Sequence, residues 1–276
     1  SLYDLLVRPV EERLGGPGLP LVIVADGDLA SVPFAALYDT ARRRYLVEDH
    51  PLRFTPSLRE ARWPARRGGD VGETVFVADP AFDPAKHRGF PRLPEAAGEV
   101  REIAPSYPGA RVLADVGADR WAVEDALRRA DIVHYAGHAV FDDERPERSY
   151  LLLAPSTRRP GAAVLQASEI AQMDLRHLSL VVLSACQTVR TGDGRAAGFS
   201  GLAGAFLAAG ARGALGSLWE VDDRLARRFM VEFHHAYRGS HDAAGALRTA
   251  QLRMLRSGDP ALRSPAAWAG FRYLGR

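Results

Sequence analysis

The chain has 276 residues, 47% hydrophobic and 25% charged, which is enough apolar material for a sizeable core in one large domain or two small ones. A formal net charge of +2 argues against a dedicated nucleic-acid or anionic-membrane surface, and no apolar run reaches the roughly 20 residues of a membrane span. One cysteine, Cys186, excludes an internal disulfide and fits a reducing compartment; no signal peptide is visible, so a cytoplasmic location is expected.

In chain order the first strand signal is LVIVA from Leu21. The segment from Arg62 to Gly72, rich in Arg, Gly and Pro, reads as an internal linker between an N-terminal subregion (1–65) and a larger one (73–276) within a single domain. Strand TVFVAD from Thr74 follows, then a helix over Glu95–Ile103 and another over Asp119–Ala130, entered at Asp119 with Trp121 and Glu124 behind it. DIVHYA from Asp131 is the next strand, and YLLLAPSTRRPGAAVLQASEI reads as a hairpin beside it. LSLVVLSA from Leu178 and GALGSLW from Gly213 are two more strands, separated by a helix over Phe199–Ala209 that Gly210 stops. Helices over Asp223–Tyr237 and Ala243–Leu255 complete the pattern. Continuous apolar strands alternating with helices predict an α/β sandwich on a largely parallel sheet.

The basic residues are nearly all arginine, with Lys86 the sole lysine, and their short scattered clusters read as solvated surface. The start at Ser1 rather than methionine fits a domain of a longer protein.

Two strand ends carry chemistry. ADIVHYAGH ends in His138, and LSLVVLSAC ends in Cys186, 48 positions later. Open α/β sheets gather their sites at the carboxyl ends of strands, so two neighbouring parallel strands bring thiol and imidazole together. A thiol of pKa about 8.5 needs such a partner to react at neutral pH. From the residues alone a second reading stays open, in which Cys186 is a small buried hydrophobe and His134 and His138 are core histidines. A metal reading of the two histidines lacks both the HExxH glutamate and a third ligand. Gly198, Gly201 and Gly204 lack the GK[ST] ending of a phosphate loop and read as close helix packing.

Several blocks resemble, in order, the CHAT family of caspase-like cysteine peptidases, which are related to separases and often joined to tetratricopeptide repeats. They are PLVIVADGDLASVPFAALYD, RYLVEDHPLRFTPSL, LPEAAGEVREIA, ADIVHYAGHAVFDD, LVVLSACQT, GFSGLAGAFLAAGARGALGSLWEVDD and the terminal SPAAWAGFRYLG, and the resemblance spans Leu21 to the C-terminus, about nine-tenths of the chain. The spacing also suits caspases, whose histidine lies about 50 residues before the cysteine.

The resemblance implies a caspase-like α/β/α sandwich and a cysteine endopeptidase with Cys186 as nucleophile and His138 as its acid/base partner, needing no metal and no cofactor. It places the oxyanion on the backbone N–H groups of Cys186 and Ala139. The family usually has glycine at the position of Ala139. If that backbone takes a positive φ, alanine costs about 1–2 kcal/mol, and Ala139→Gly leaves activity equal or higher.

By the same resemblance Asp26, Asp222 and Asp223 line a substrate pocket selecting Arg or Lys, with Ser184 at the position of a substrate-binding polar residue; helix and turn capping is the competing role for the aspartates. Expected partners are a protein or peptide substrate and a regulatory sensor or tetratricopeptide-type domain, with no nucleic acid and no membrane. The loop TGDGRAAG after Cys186 is expected to reorder on activation, with Arg190 or Arg195 a self-cleavage point. Two alternatives share the fold: a catalytically silent scaffold or signalling module, and a cysteine amidase or acyltransferase.

Overall fold

The apolar runs of the sequence become the middle of one large sheet. The structure, a computed structural model, describes residues 1–61, 72–83, 90–142, 145–156, 163–185 and 201–275. Its strands are β1 (Leu21–Ile23), β2 (Tyr38–Asp39), β3 (Arg44–Tyr45), β4 (Leu52–Phe54), β5 (Thr74–Pro80), β6 (Arg111–Asp115), β7 (Ile132–Ala136), β8 (Ala139–Val140), β9 (Tyr150–Leu152), β10 (Val164–Gln166), β11 (Leu180–Ser184), β12 (Gly213–Ser217) and β13 (Phe271–Gly275). Eight of them form the sheet in the order β1-β4-β13-β12-β11-β7-β5-β6. Every neighbouring pair is parallel except β12 with β13.

That single antiparallel pairing divides the sheet. The carboxyl ends of β5, β6, β7, β11 and β12 lie along one edge, whereas β1, β4 and β13 run the other way and end at the opposite edge. β5, β7 and β12 are buried at every residue, so both faces of the sheet are covered.

The helices are α1 (Leu2–Leu6), α2 (Leu46–Asp49), α3 (Leu58–Ala61), α4 (Pro94–Ile103), α5 (Arg120–Arg129), α6 (Ala167–Ile170), α7 (Leu202–Ala208), α8 (Asp223–Ser240), α9 (Ala243–Leu255), α10 (Pro260–Arg263) and α11 (Pro265–Trp268). α4, α8 and α9 pack as one layer, and α6 packs on α7 with the Arg120–Glu169 ion pair joining α5 to α6. Asp119 caps α5 as its position suggests, accepting from Ala122 N–H at 2.8 Å. α8 runs to Ser240, beyond the expected Tyr237, and stops where His241 turns left-handed at φ 51°. Of the expected helix Phe199–Ala209, the described part is α7, and Gly210 ends it at φ 105°.

The expected hairpin exists as β9 and β10, but it does not join the main sheet. It pairs with β8, the two residues after His138, in a separate three-stranded sheet. One core holds the molecule together, with Leu52 and Phe54 from the N-terminal subregion in the same cluster as Val75, Val133 and Val181. Each such side chain contributes roughly 1.5–3 kcal/mol on full burial, so the sheet edge carrying the site is a stiff support. The linker segment itself, save Gly72, lies outside the described residues.

Candidate functional site

β7 and β11 pair in register from Ile132 opposite Leu180 to Ala136 opposite Ser184. Their carboxyl ends are therefore neighbours at the edge where β5 and β12 also end. His138 stands two residues beyond Ala136, and Cys186 follows Ser184 by two in sequence; Cys186 and residues 187–200, with Arg190, Arg195 and Gly198, lie outside the described residues.

His138 is 9% exposed. Its ring meets Phe90 and Phe82 edge-on, at centroid distances of 4.8 and 5.7 Å. Its Nε2 lies 2.7 Å from the carbonyl oxygen of Pro91. A carbonyl can only accept, so Nε2 carries hydrogen, and in the neutral ring Nδ1 keeps the free lone pair.

The backbone around the histidine is equally fixed. The Tyr135 hydroxyl is 2.7 Å from both the His138 and Leu152 carbonyls, between which its one proton is shared, and burial holds its pKa above the usual tyrosine range. Leu152 N–H also donates to the His138 carbonyl at 2.9 Å. Gly137 is required by space: a Cβ there would lie 2.7 Å from the Tyr135 hydroxyl and 3.0 Å from Pro80.

Ala139 belongs to β8 and is absent from the residues with positive φ, so the strain anticipated for alanine at this position does not exist. The Leu152-to-His138 bond makes 138 and 152 a bonded pair of the antiparallel ladder. Ala139, paired with Leu151, is then at a non-bonded position, with its N–H turned away from β9.

Ser184 takes an inward role. Its hydroxyl donates to Glu99 Oε2 at 3.0 Å, and Glu99 Oε1 is 2.7 Å from His134 Nε2. His134 Nδ1 is 3.0 Å from His234 Nε2, and His234 Nδ1 is 2.8 Å from the Tyr107 hydroxyl. Burial, then the neighbouring His134 and His235, hold the His234 pKa well below the usual histidine value, so its ring is neutral, with one nitrogen donating and the other accepting. When His134 donates to Glu99, the remaining bonds take one consistent direction: Tyr107 hydroxyl to His234, His234 to His134. This chain crosses from α8 through β7 to α4 and ends on the strand that leads to Cys186. The sequence offered His134 as a core histidine or, less well, as a metal ligand, and its partner His234 is 100 positions away.

The aspartates separate. Asp222 caps α8, accepting from Arg224 and Leu225 N–H at 3.1 and 3.3 Å. Asp223, beside it, lies within electrostatic reach of His138: partial burial and then Asp222 push its carboxyl pKa up, while His138 pulls it down. Asp26 is not brought to this place. It follows β1, whose carboxyl end is at the opposite edge of the sheet, and its carboxylate accepts from Gly27 N–H at 2.7 Å in a short 3-10 turn. The loop that follows is held by Arg272, 5% exposed, which donates to the Ala30 and Val32 carbonyls at 2.6 and 2.7 Å and is brought down to about 9 by burial. Among the described residues no three His, Cys, Asp or Glu side chains converge as metal ligands.

The family model described as CHAT domain matches residues 1–276. Tetratricopeptide repeat protein 28 of Mus musculus is 27% identical over 332 residues, and the Homo sapiens protein of that name is 26% identical. Each alignment takes in all of this chain and 13% of the relative, so the chain spans a small part of either protein. A chain of the Saccharomyces cerevisiae separase–securin complex superimposes with a TM-score of 0.60 at 13% identity, covering 93% of this chain and 16% of that one. The Arg specific cysteine proteinase gingipain R gives 0.50 at 13% identity, over 74% and 46% of the two chains. These likenesses bear out the caspase-like α/β/α sandwich.

Proposed function

The chain belongs to the CHAT domain family, and from that premise we propose that it is a cysteine endopeptidase in which Cys186 attacks the substrate carbonyl and His138 moves the proton. The observation that carries this reading is the His138 ring itself. A backbone carbonyl occupies Nε2 and leaves Nδ1 as base at the strand end beside β11. The thiol proton passes to Nδ1 as sulfur bonds to the carbonyl carbon. His138 then returns it to the departing amine nitrogen, and the C–N bond breaks to leave a thioester. Water, giving its proton to the same Nδ1, hydrolyses the thioester and frees the acid and the thiol.

The oxyanion of each tetrahedral intermediate is assigned to the N–H groups of Cys186 and Ala139. Outward-turned backbone at Ala139 supports that assignment, and loss of one such donor typically costs about 10²- to 10³-fold. Asp223, near His138, is assigned the negative wall of the substrate pocket, with Asp222 fixing its helix; this favours Arg or Lys before the scissile bond. Ser184, tied to Glu99, acts by holding the end of β11. Tetratricopeptide repeats in the relatives support an attached repeat module as the regulator.

Incubating the wild type, Cys186→Ala and His138→Ala with a diverse peptide library tests the reading. Cleavage after basic residues, lost in both variants and weakened in Asp223→Asn, is expected. Cleavage indifferent to either dyad change would overturn the mechanism, and a wild type inert towards every peptide would favour a silent interaction module.

A further inference from the structure

The Pro91 carbonyl that sets the His138 tautomer sits in a segment whose own position is fixed from β5. Asp79, at the end of that strand, is 7% exposed and left-handed at φ 40°, a region in which aspartate and asparagine are the least disfavoured of residues with a side chain. The β5–β6 register breaks at this point, between Ala78 and Pro80. That conformation turns the Asp79 carboxylate to the chain that follows Pro91. Oδ1 accepts from Leu93 N–H at 3.2 Å, and Oδ2 takes Arg92 Nε at 2.9 Å and Nη2 at 2.7 Å. Arg92 Nη2 also reaches the Asp79 carbonyl at 3.3 Å, and Nη1 reaches Asp115 at 3.0 Å. Asp115, at the end of neighbouring β6, is left-handed as well, at φ 49°. One guanidinium thus joins two left-handed aspartates on adjacent strand ends, and Asp79 first, then Asp115, raise its pKa above the usual arginine value.

We propose that Asp79, through Arg92 and Leu93, is the positioning residue that presents the Pro91 carbonyl to His138 and so locks the histidine in the Nε2–H tautomer needed for catalysis. The inference rests on His138 acting as the acid/base of the proposed peptidase. Backbone carbonyls in an exposed stretch are poor orienting groups unless something fixes them. Here Pro91 and Arg92 are exposed while the anchor, Asp79, is buried in the end of the sheet, so the rigidity of β5 is passed to the imidazole through two residues.

The test compares Asp79→Asn and Arg92→Gln with the wild-type 276-residue chain. Asparagine tolerates the left-handed backbone and removes the charge, and Arg92 is a half-exposed side chain outside the core; thermal melting of both variants separates a loss of stability from the change at His138. The primary readout is the His138 tautomer by long-range ¹H–¹⁵N NMR, the signal being assigned with His138→Ala. Nε2–H alone is expected in the wild type, with a mixture of tautomers in both variants. Peptide cleavage is the second readout, expected to fall in kcat by about tenfold to a hundredfold in both variants with KM little changed. A purely electrostatic influence on His138 would move the two variants in opposite directions, because one removes a negative and the other a positive charge. Opposite shifts, or a wild-type tautomer in either variant, would overturn the proposal. A tautomer change in a chain that cleaves no peptide would leave the positioning standing and sink the peptidase reading instead.

Discussion

At His138 the ring and the carbonyl are both held by neighbouring groups, the Pro91 carbonyl oxygen on Nε2 and the Tyr135 hydroxyl and Leu152 N–H on the carbonyl, in close packing. Gly137 is the position beside His138 where space is tightest against the groups that hold its carbonyl. In Gly137→Ala the new Cβ meets the Tyr135 hydroxyl and ring at 2.7 and 2.8 Å, neither of which can yield without releasing the His138 or Leu152 carbonyl. We expect a stability loss of about 1–3 kcal/mol and cleavage reduced on the order of a hundredfold, read from urea unfolding and steady-state kinetics. Ala139→Gly should behave differently. Ala139 is ordinary strand backbone, so glycine relieves nothing and loosens β8 by about 0.5–1 kcal/mol, with activity unchanged or lower; a rise in activity would show that strain exists there after all. The sequence made His138 legible because histidine at the end of an apolar run is unusual and the family blocks flank it. The groups that surround it were not legible: Pro91 meets Nε2 through its carbonyl, which every residue possesses, and Asp79 holds Arg92 and Leu93 from a left-handed turn that nothing in VFVADP announces.

Between elements, the chain from Tyr107 to Ser184 is the feature that sequence periodicity could not reveal, since its members come from the turn after α4, from α8, β7 and α4, and from the end of β11. Glu99→Leu leaves His134 Nε2 and the Ser184 hydroxyl without an acceptor in a dry environment, which should cost about 3 kcal/mol or more. Glu99→Gln should cost clearly less. Its amide oxygen still accepts from Ser184, and its NH₂ donates to His134 if every bond out to Tyr107 reverses direction. Equal losses in the two variants, measured by urea unfolding, would argue against a coupled chain.

His234 adds a pH dependence of definite sign. Its folded pKa is far below the ordinary 6.5, so on acidification below about 6.5 the unfolded chain takes up a proton that the folded chain refuses. Stability from this residue therefore falls as pH drops, by up to about 1.4 kcal/mol per pH unit, and rises again towards neutrality. Between pH 7.5 and 5.5 the unfolding midpoint of His234→Phe should fall less steeply than that of the wild type; equal slopes would mean that His234 takes up its proton alike in the folded and unfolded chains.

For the molecule as a whole, the parallel core strands were legible because strands buried on both faces must read as unbroken apolar runs, as TVFVAD, DIVHYA and LSLVVLSA do. Strand direction was not written in the same way. FRYLG enters antiparallel to β12 and reverses the sheet beyond it, and for that reason Asp26 ends at the far edge from His138 although its strand signal was read correctly. Asp222 and Asp223 follow β12 and so fall on the edge where His138 lies. The architecture thus concentrates the candidate chemistry on one edge, at the ends of β5, β7, β11 and β12, and leaves the other edge to support. No described helix is long and apolar enough to cross a membrane.

Because Cys186 is the sole cysteine, its reactivity can be followed without knowing a substrate. The rate of alkylation of Cys186 by iodoacetamide as a function of pH, in the wild type and in His138→Ala, is the most direct test of the central claim that His138 activates this thiol. The account predicts that the wild type reacts readily at and below neutral pH, and that His138→Ala follows an ordinary thiol with a midpoint near pH 8.5. Two superimposable profiles would contradict it.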